Sequence, residues 1–293
     1  MTETYQCITY ETTGRAVVIT LARPKARNAV NAQMTLELAQ AMARFESDPE
    51  ALVGILTGEG ETFCAGMDLK AFLAGEGEAI VNGPKLAQPE PESRFSFLSS
   101  GVDRLGELLT KSSKQEPRYA GFAGFIHFPR TKPVIAAVNG PALAGGFEIV
   151  LACDLVIAAE GAAFGLPEPK VGLFAAAGGA FRLPRIIPAN KAMEMLLTGD
   201  PITAQEALSL GLINAIHPAP DLRNEALKLA ARITKNAPFA LMETYNLARA
   251  SRQRNEAAFW EETRRGWQRI LTTEDAKEGP AAFAEKRAAE WKG

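Results

Sequence analysis

Histidine and cysteine are scarce in this sequence. The 293-residue chain has two histidines and three cysteines, and no two cysteines form a CxxC pair. A protein zinc site usually takes several ligands from these residue types. The sequence therefore excludes a zinc centre with several histidine ligands, and we expect no metal and no redox cofactor. His127, among aromatic residues, and His217, before Pro218, are both interpreted as structural.

Long apolar runs and a strong net charge are also missing. No apolar run reaches the roughly 20 residues of a transmembrane helix. The formal net charge is −2, so no global field attracts nucleic acid or an anionic membrane. The first residues, MTETYQ, lack the apolar core of a secretory signal, and an odd cysteine count is typical of a reducing compartment. These absences favour a cytoplasmic protein with neither a nucleic-acid nor a membrane partner.

Short runs rich in valine and isoleucine predict strands between stretches of helical periodicity. The strands are predicted at residues 16–21, 52–57, 133–139, 155–159 and 212–217. A helix is predicted over residues 31–46, with Asn31 as its N-cap. Alternation of strands and helices predicts an α/β core, which we assign to residues 1–200.

The last third of the chain, residues 201–293, is predicted to be helical. Helices are expected at residues 203–210, 221–235, 238–251, 255–271 and 274–290. Asp221 and Asn255 are expected to cap two of them, and Gly211 to end another. Their apolar faces are expected to pack on the core, on a neighbouring subunit, or on both.

Residues 74–120 interrupt this pattern. They are rich in Gly, Pro and Glu and contain one short helical pattern at residues 102–109. A long stretch with so little regular pattern is usually functional or mobile. Four aromatic residues in or next to it are expected either to line a substrate pocket or to form a small core: Phe95, Phe97, Tyr119 and Phe122.

A glycine-rich turn leads into a helix at KPVIAAVNGPALAGGFEIVLACD, residues 132–154. The first N–H groups of a helix have no internal partner and lie at its positive end. The backbone at Gly145 is therefore suited to stabilising an anion. Glu148 follows on the same side of the first turn. Either Glu148 faces this anion site, or it only complements the helix dipole.

A second turn of small residues occurs at TFCAGMDLK, residues 62–70. There we expect the N–H of Met67 to point outward and Asp68 to begin a helix. The alternative is an ordinary β–α loop.

A third segment, AFGLPEPKVGLFAAAGGAFRL, spans residues 163–183 and contains a glutamate between two prolines. Prolines restrict the backbone and so restrict where the Glu168 side chain points. The neighbouring residues are apolar, so we expect partial desolvation and a raised pKa for Glu168, which suits a general acid. The alternative is a solvated turn glutamate.

Together these segments resemble the enoyl-CoA hydratase/isomerase (crotonase) superfamily over most of the chain. Further matches are LARPKARNAV near the N-terminus, LLTGDPITAQEALSLGLIN after residue 195 and EDAKEGPAAFAEKR near the C-terminus. The resemblance implies an acyl-CoA thioester substrate. It also implies a spiral of ββα units followed by a helical region that forms homotrimers, often paired into hexamers.

The resemblance further implies roles for individual residues. The N–H groups of Met67 and Gly145 would form an oxyanion hole for the thioester carbonyl. Glu148 and Glu168, twenty residues apart as in hydratases, would act on water and on the substrate α-carbon. The residues implied to bind the substrate or its CoA, the last two often from a neighbouring subunit, are Lys25, Ala65, Asp68, Leu69, Lys70, Phe283 and Lys286.

Three features depart from the family pattern. The interval from Met67 to Gly145 is long, which places an insertion at residues 74–120. Ala144 replaces a third glycine found in many hydratases, and FAAA at residues 174–177 replaces a turn of the Pro-Gly-Ala type. All three lie near the expected acyl site, so the acyl group is left open.

The predicted reaction is reversible addition of water to a 2-enoyl-CoA, giving a 3-hydroxyacyl-CoA. Alternatives are crotonobetainyl-CoA hydration, enoyl-CoA isomerisation, thioester hydrolysis, a hydratase–lyase step, or acyl-CoA binding without turnover. Isomerases commonly manage with one carboxylate, so two glutamates favour hydration. A dinucleotide-dependent dehydrogenase is excluded, because the early turn Thr13-Gly14-Arg15 does not match the GxGxxG fingerprint.

Overall fold

The computed structural model describes residues 5–86, 119–251, 269, 272–285 and 287–292. Its strands are β1 (Ile8–Thr13), β2 (Ala16–Leu21), β3 (Val53–Gly58), β4 (Val134–Val138), β5 (Ala142–Leu143), β6 (Leu155–Ala159), β7 (Ala163–Gly165), β8 (Ile202–Thr203) and β9 (Ala215–His217). Its α-helices are α1 (Ala32–Ser47), α2 (Leu69–Ala71), α3 (Gly77–Asn82), α4 (Gly145–Ala152), α5 (Gly179–Arg182), α6 (Ala189–Thr198), α7 (Ala204–Ser209), α8 (Leu222–Thr234), α9 (Pro238–Ala250) and α10 (Asp275–Glu285).

The larger sheet has the strand order β1-β2-β3-β4-β6-β9. The β1–β2 pair is antiparallel, and the other neighbours are parallel. Successive side chains of a strand point to opposite faces, so Val17 and Ile19 enter one core cluster whereas Val18 enters the other. Helices α8 and α9 cover this second face. The near-continuous apolar runs of the predicted strands follow from this burial on both sides.

A smaller sheet of order β5-β7-β8 forms beside the large one. After β4 and again after β6, the chain contributes one short strand to it. An isolated bridge between Cys64 and Ala142 of β5 places the segment after β3 at the edge of this smaller sheet. The segments that follow β3, β4 and β6 therefore lie side by side, which brings together the loops that follow β3 and β5.

Most predicted elements are confirmed, with shorter ends. Asn31 caps α1 by accepting a hydrogen bond from Met34 N at 3.0 Å, and Gly211 follows α7 with φ +74°. The strand predicted from residue 212 begins only at Ala215, because the Asn214 carboxamide, rather than a backbone carbonyl, accepts the N–H of Val156.

Two expectations about local structure are wrong. Asp221 does not cap α8 through its side chain. Its backbone is already helical because it ends a 3-10 turn, Ala219–Asp221, whereas a capping residue usually has extended backbone. The start of the insertion is not irregular, because α3 forms there and Ile80 is fully buried.

The two ends of the insertion pair with each other. Lys85 forms an antiparallel bridge with Tyr119, and Gly121 donates its N–H to Asn82 O at 2.8 Å. Phe95, Phe97, Asn255 and the helix predicted at residues 102–109 lie outside the described residues, as does nearly all of the helix predicted at 255–271. Within the described ranges, no helix is both long and apolar enough to cross a membrane.

Candidate active site

The loop after β3 leaves one backbone N–H group available. Val30 donates its N–H to Gly66 O at 2.8 Å, and Asp68 donates its N–H to Val30 O at 2.9 Å. Alternate peptide groups of an extended segment point in opposite directions, so the N–H of Met67 points away from Val30. No hydrogen bond among the described residues uses this N–H.

Asp68 holds the chain immediately after this donor. Its Oδ1 accepts the N–H groups of Lys70 and Ala71, which begins α2 at the predicted position. Its Oδ2 accepts from Arg23 Nη2 at 3.0 Å. Burial opposes ionisation of Asp68, but these hydrogen bonds and the Arg23 charge outweigh it and hold the pKa below its ordinary value.

A second available donor lies at the start of α4. Ala144 precedes it with φ 49° and ψ −129°, a conformation rare for a residue with a Cβ. Phe147 and Glu148 donate their N–H groups to Ala144 O at 2.9 and 3.1 Å. The N–H of Gly145, the first of the helix, donates to no acceptor in the part of the chain that the structure describes.

The backbones of the two loops approach each other closely. Leu143 donates its N–H to Cys64 O at 3.0 Å. A Cβ on Gly146 would lie 2.1 Å from Cys64 O, and a Cβ on Gly66 would lie 3.0 Å from Gly145 N. Only glycines permit this approach, which places the loops of Met67 and Gly145 next to each other.

Glu148 is a buried carboxyl with one defined partner. Its side chain is 3% exposed, and its Oε1 accepts the N–H of Gly179, at the start of α5, at 2.8 Å. Burial, with a smaller contribution from the charge of Glu168, raises the pKa of Glu148 to about 7. The N–H groups of Gly179 and Ala177 and the charge of Arg182 oppose this rise.

Glu168 is the second buried carboxyl of the site. It begins a 3-10 helix, Glu168–Val171, directly after Pro167, and is 8% exposed. Burial raises its pKa, as predicted, and its Oε2 is buried without a hydrogen-bond partner among the described residues. A buried polar atom without a partner is costly, so this oxygen is poised for a partner such as water or substrate.

The glutamates and the two donors lie in one region. The charge of Glu168 acts on Glu148, so the two carboxyl groups titrate as a pair. Two backbone donors that are unpaired among the described residues can stabilise an oxyanion in the same region. In the described ranges no group of three His, Cys, Asp or Glu residues is placed to hold a metal ion. The expectation of metal-free chemistry stays a prediction.

Comparison with known proteins identifies the family. The family model for enoyl-CoA hydratase/isomerase matches residues 11–87 and 95–293. This chain belongs to the enoyl-CoA hydratase/isomerase (crotonase) family. A curated carnitinyl-CoA dehydratase from Proteus mirabilis is 39% identical over 98% of this chain and 99% of its own length.

Solved structures agree with this assignment. An enoyl-CoA hydratase from Mycobacterium tuberculosis is 40% identical with a TM-score of 0.81, covering 98% of this chain and 99% of that one. A carnitinyl-CoA hydratase from Mycobacterium avium is 41% identical with a TM-score of 0.69, covering 99% of both chains. The predicted crotonase fold is therefore confirmed, and the chain is an acyl-CoA hydratase-type member of the family.

The structure groups most of the residues that the crotonase resemblance implicates in CoA binding. Lys25 lies in a 3-10 turn, Pro24–Ala26, and the next residue, Arg27, accepts the N–H of Ala65 at 3.0 Å. Asp68, Leu69 and Lys70 follow on the same loop. Phe283 lies in the distant-in-sequence helix α10, and Lys286 lies outside the described residues. Their contact with CoA stays a prediction.

Sequence reasoning gave no role to two residues that shape this site, Asn28 and Arg182, and it left two alternatives open for Phe122. Asn28 is fully buried, and its carboxamide bonds to Arg23 N, Glu59 O and Thr62 O. Phe122 lies against α4, since a Cβ on Gly145 would lie 2.4 Å from its ring. Arg182 lies near Glu148. Asn28 lies within the matched segment LARPKARNAV, but no sequence signal related Arg182 to the site. Phe122, expected in a substrate pocket or a small core, is buried in the main apolar core.

Proposed function

We propose that this chain catalyses reversible addition of water to a 2-enoyl-CoA, giving a 3-hydroxyacyl-CoA. The main support is the pair of buried glutamates beside two N–H donors that have no acceptor in the described part of the chain. Within the same residues, Glu168 presents a buried oxygen without a hydrogen-bond partner, and the pKa of Glu148 is raised to about 7. A pKa near the working pH is what general acid–base catalysis requires.

The N–H groups of Met67 and Gly145 serve as the oxyanion hole in this mechanism. Water adds to C3, and the electrons of the double bond move toward the thioester, which gains negative charge on its carbonyl oxygen. Two fixed donors stabilise that charge more than they stabilise the neutral thioester. Losing one such donor typically costs about 3–4 kcal/mol of transition-state stabilisation.

The environments of the two glutamates support different roles. When Glu168 holds a proton, its repulsion of Glu148 disappears. The N–H of Gly179 then favours ionised Glu148, which takes a proton from water as general base. Glu168 delivers its proton to the substrate α-carbon. The C3–O and Cα–H bonds form. Glu148 ends with a proton from water, and Glu168 has given up its own proton.

The carboxylate-to-amide variants test these roles. We expect E148Q and E168Q each to lower kcat by about a hundredfold or more, with little change in KM. The double variant should lose far less than the product of the two losses, because the pair acts as a unit. The measurement is loss of enoyl-thioester absorbance, with the exposed-site variant E160Q as control. Near-normal hydration by either single variant would refute the two-glutamate mechanism.

A second candidate is hydration of crotonobetainyl-CoA, or its reverse. It is favoured by the 39% identity to proteins named carnitinyl-CoA dehydratase over nearly the full chain. The same assay distinguishes the two candidate functions. It compares crotonobetainyl-CoA with neutral enoyl-CoAs of varied length and branching, and a 3-enoyl-CoA serves as the control for isomerase activity. A kcat/KM for crotonobetainyl-CoA far above that for every neutral enoyl-CoA would establish this second candidate.

A further inference from the structure

Arg182 joins two segments that border the proposed site. It is the last residue of α5, whose first residue, Gly179, donates its N–H to Glu148. Its guanidinium donates to Ala177 O at 3.0 Å and to Ile126 O at 3.4 Å. These bonds tie the turn before α5 to the segment that follows Phe122.

The turn before α5 fits closely around this side chain. Gly178 has φ +108°, and a Cβ there would lie 2.3 Å from Arg182 Nη1. Arg182 also donates its own N–H to Gly178 O at 2.8 Å. The backbone and the guanidinium of Arg182 therefore both hold residues 177–179 in place.

This turn supplies the hydrogen bonds that reach Glu148. The N–H of Gly179 donates to Glu148 Oε1, and the N–H of Ala177 also favours the ionised carboxylate. The charged groups that act on Glu148 are Glu168, which opposes its ionisation, and Arg182, which favours it. Burial and, after it, the nearby Arg182 charge lower the pKa of the His127 imidazole.

We propose that Arg182 is a positioning residue for the hydratase reaction. It holds the turn at residues 177–179 so that backbone N–H groups and its own charge keep Glu148 ionised as the general base. The inference rests on the proposed function, in which Glu148 accepts a proton from water.

The pH profile of kcat/KM separates this role from a structural one. In R182Q the charge is gone and the turn is released, so Glu148 holds its proton to higher pH. We expect the acidic limb of the profile to move up by about one pH unit, with activity recovering toward alkaline pH. R182K keeps the charge but cannot reach both carbonyls, so the acidic limb of its profile should move up less than that of R182Q while kcat falls at every pH.

Arg185 provides the matched control. Its guanidinium stacks on the ring of Phe181, as does that of Arg182, at 5.6 and 5.3 Å from the ring centre. R185Q removes an equal charge nearby without touching the turn, so its limb should stay at the wild-type pH. An R182Q profile with wild-type shape, merely scaled down, would overturn the proposal. An equal shift in R185Q would also overturn it.

Two further readouts keep the test decisive. If circular dichroism shows that R182Q does not fold, R182K tests the positioning role instead. An R182K protein with the wild-type rate at every pH would overturn that role. If the wild type hydrates no enoyl-CoA, the proposed function fails and Arg182 is tested directly on Glu148. Infrared titration with 13C-labelled glutamate then follows the carboxyl band absent from E148Q. That band should titrate at higher pH in R182Q, and an unmoved band would contradict the inference.

Discussion

Glu148 illustrates how strongly one carboxyl depends on its surroundings. Burial is the largest cause of its pKa rise from 4.5 to about 7, and the hydrogen bond from Gly179 only partly offsets it. An acid with a higher pKa in the folded than in the unfolded chain binds its proton more tightly when folded. Its stabilising contribution is complete below about pH 4.5 and is lost as the pH rises toward about 7.

We therefore predict that E148Q is more stable than the wild type at alkaline pH. The shift from 4.5 to about 7 corresponds to at most about 3 kcal/mol. Glutamine keeps an oxygen that can accept the Gly179 N–H but never acquires a charge. Urea unfolding at about pH 8 and about pH 5, at equal protein concentration, measures the difference, which should shrink at the lower pH. The exposed-site variant E160Q is the control, and an E148Q protein less stable than wild type at both pH values would contradict the prediction.

Ala144 stores backbone strain at the oxyanion loop. Its φ of 49° with ψ of −129° is a conformation that glycine adopts freely, and strain of this kind costs about 1–3 kcal/mol. Glycine loses part of that gain through the greater freedom of the unfolded chain. We predict that A144G is more stable by about 1 kcal/mol and remains active. Urea unfolding checks this, with A142G in β5 as a control expected to be destabilised. A loss of stability in A144G would show that the alanine methyl contributes packing that outweighs the strain.

At the scale of elements, the effect of a substitution at Gly145 or Gly146, where the two oxyanion loops meet, depends on the atoms that face each glycine. A Cβ on Gly145 meets the ring of Phe122, which can move, whereas a Cβ on Gly146 meets the carbonyl of Cys64, which cannot. A substitution at Phe122 can therefore relieve the clash at Gly145, but no side-chain substitution can relieve the clash at Gly146.

We predict that G145A lowers kcat about tenfold to a hundredfold by displacing the helix start, although its N–H is retained. Adding F122A should restore much of that loss, because the space taken by the ring becomes free. G146A should be damaging with or without F122A. The measurement is kcat for the five variants G145A, F122A, G145A/F122A, G146A and G146A/F122A, with folding checked by circular dichroism. Failure of F122A to rescue G145A would place the ring elsewhere in the working enzyme.

G145P removes the donor itself. Proline has no N–H, so this variant should lose turnover even where G145A/F122A regains it. The comparison separates the helix geometry from the hydrogen bond.

At the scale of the whole molecule, the exposed large apolar side chains of the described residues concentrate in residues 171–197. Among the described residues, every exposed large apolar side chain lies at or before Leu197. One group occupies the segment after Glu168 and the neighbouring helices α5 and α6: Val171, Leu173, Phe174, Phe181, Met193 and Leu197. Phe174 and Leu197 are each 72% exposed. Apolar patches of this kind mark protein interfaces.

We predict that this 171–197 patch contributes to the homotrimer or hexamer that the family resemblance implies. The contact surface then extends beyond the helices after residue 200. Light scattering should show an assembly of three or six 31.4 kDa chains, and F174E/L197E should shift it toward monomer. L73E, which alters a side chain that is 84% exposed outside the patch, is the control. A stable wild-type monomer at micromolar concentration would refute the prediction.

Much of this molecule followed from residue patterns. Apolar runs predicted β2, β3, β4 and β6, and the Asn31 cap predicted the start of α1. The apolar residues around Glu168 predicted its partial desolvation and raised pKa. These features depend on side chains within a few positions of one another, so the local sequence was sufficient.

The remaining features needed the tertiary structure. The strands β5 and β8 have two residues each, too few to show a period, and they exist because neighbouring turns of the chain pair with them. Gly179 donates to Glu148 from 31 residues away, and no pattern in the sequence relates the two.

The sequence by itself determined which groups were available for chemistry: two glutamates, two glycine-rich turns and few metal ligands. Only the tertiary structure decided that the pKa of Glu148 is raised to about 7, that Glu168 Oε2 is without a partner among the described residues, and that Arg182 bonds to the turn that donates to Glu148. The reason is physical. Electrostatic and hydrogen-bond energies depend on distance and on burial, and folding, rather than the order of residues, determines both.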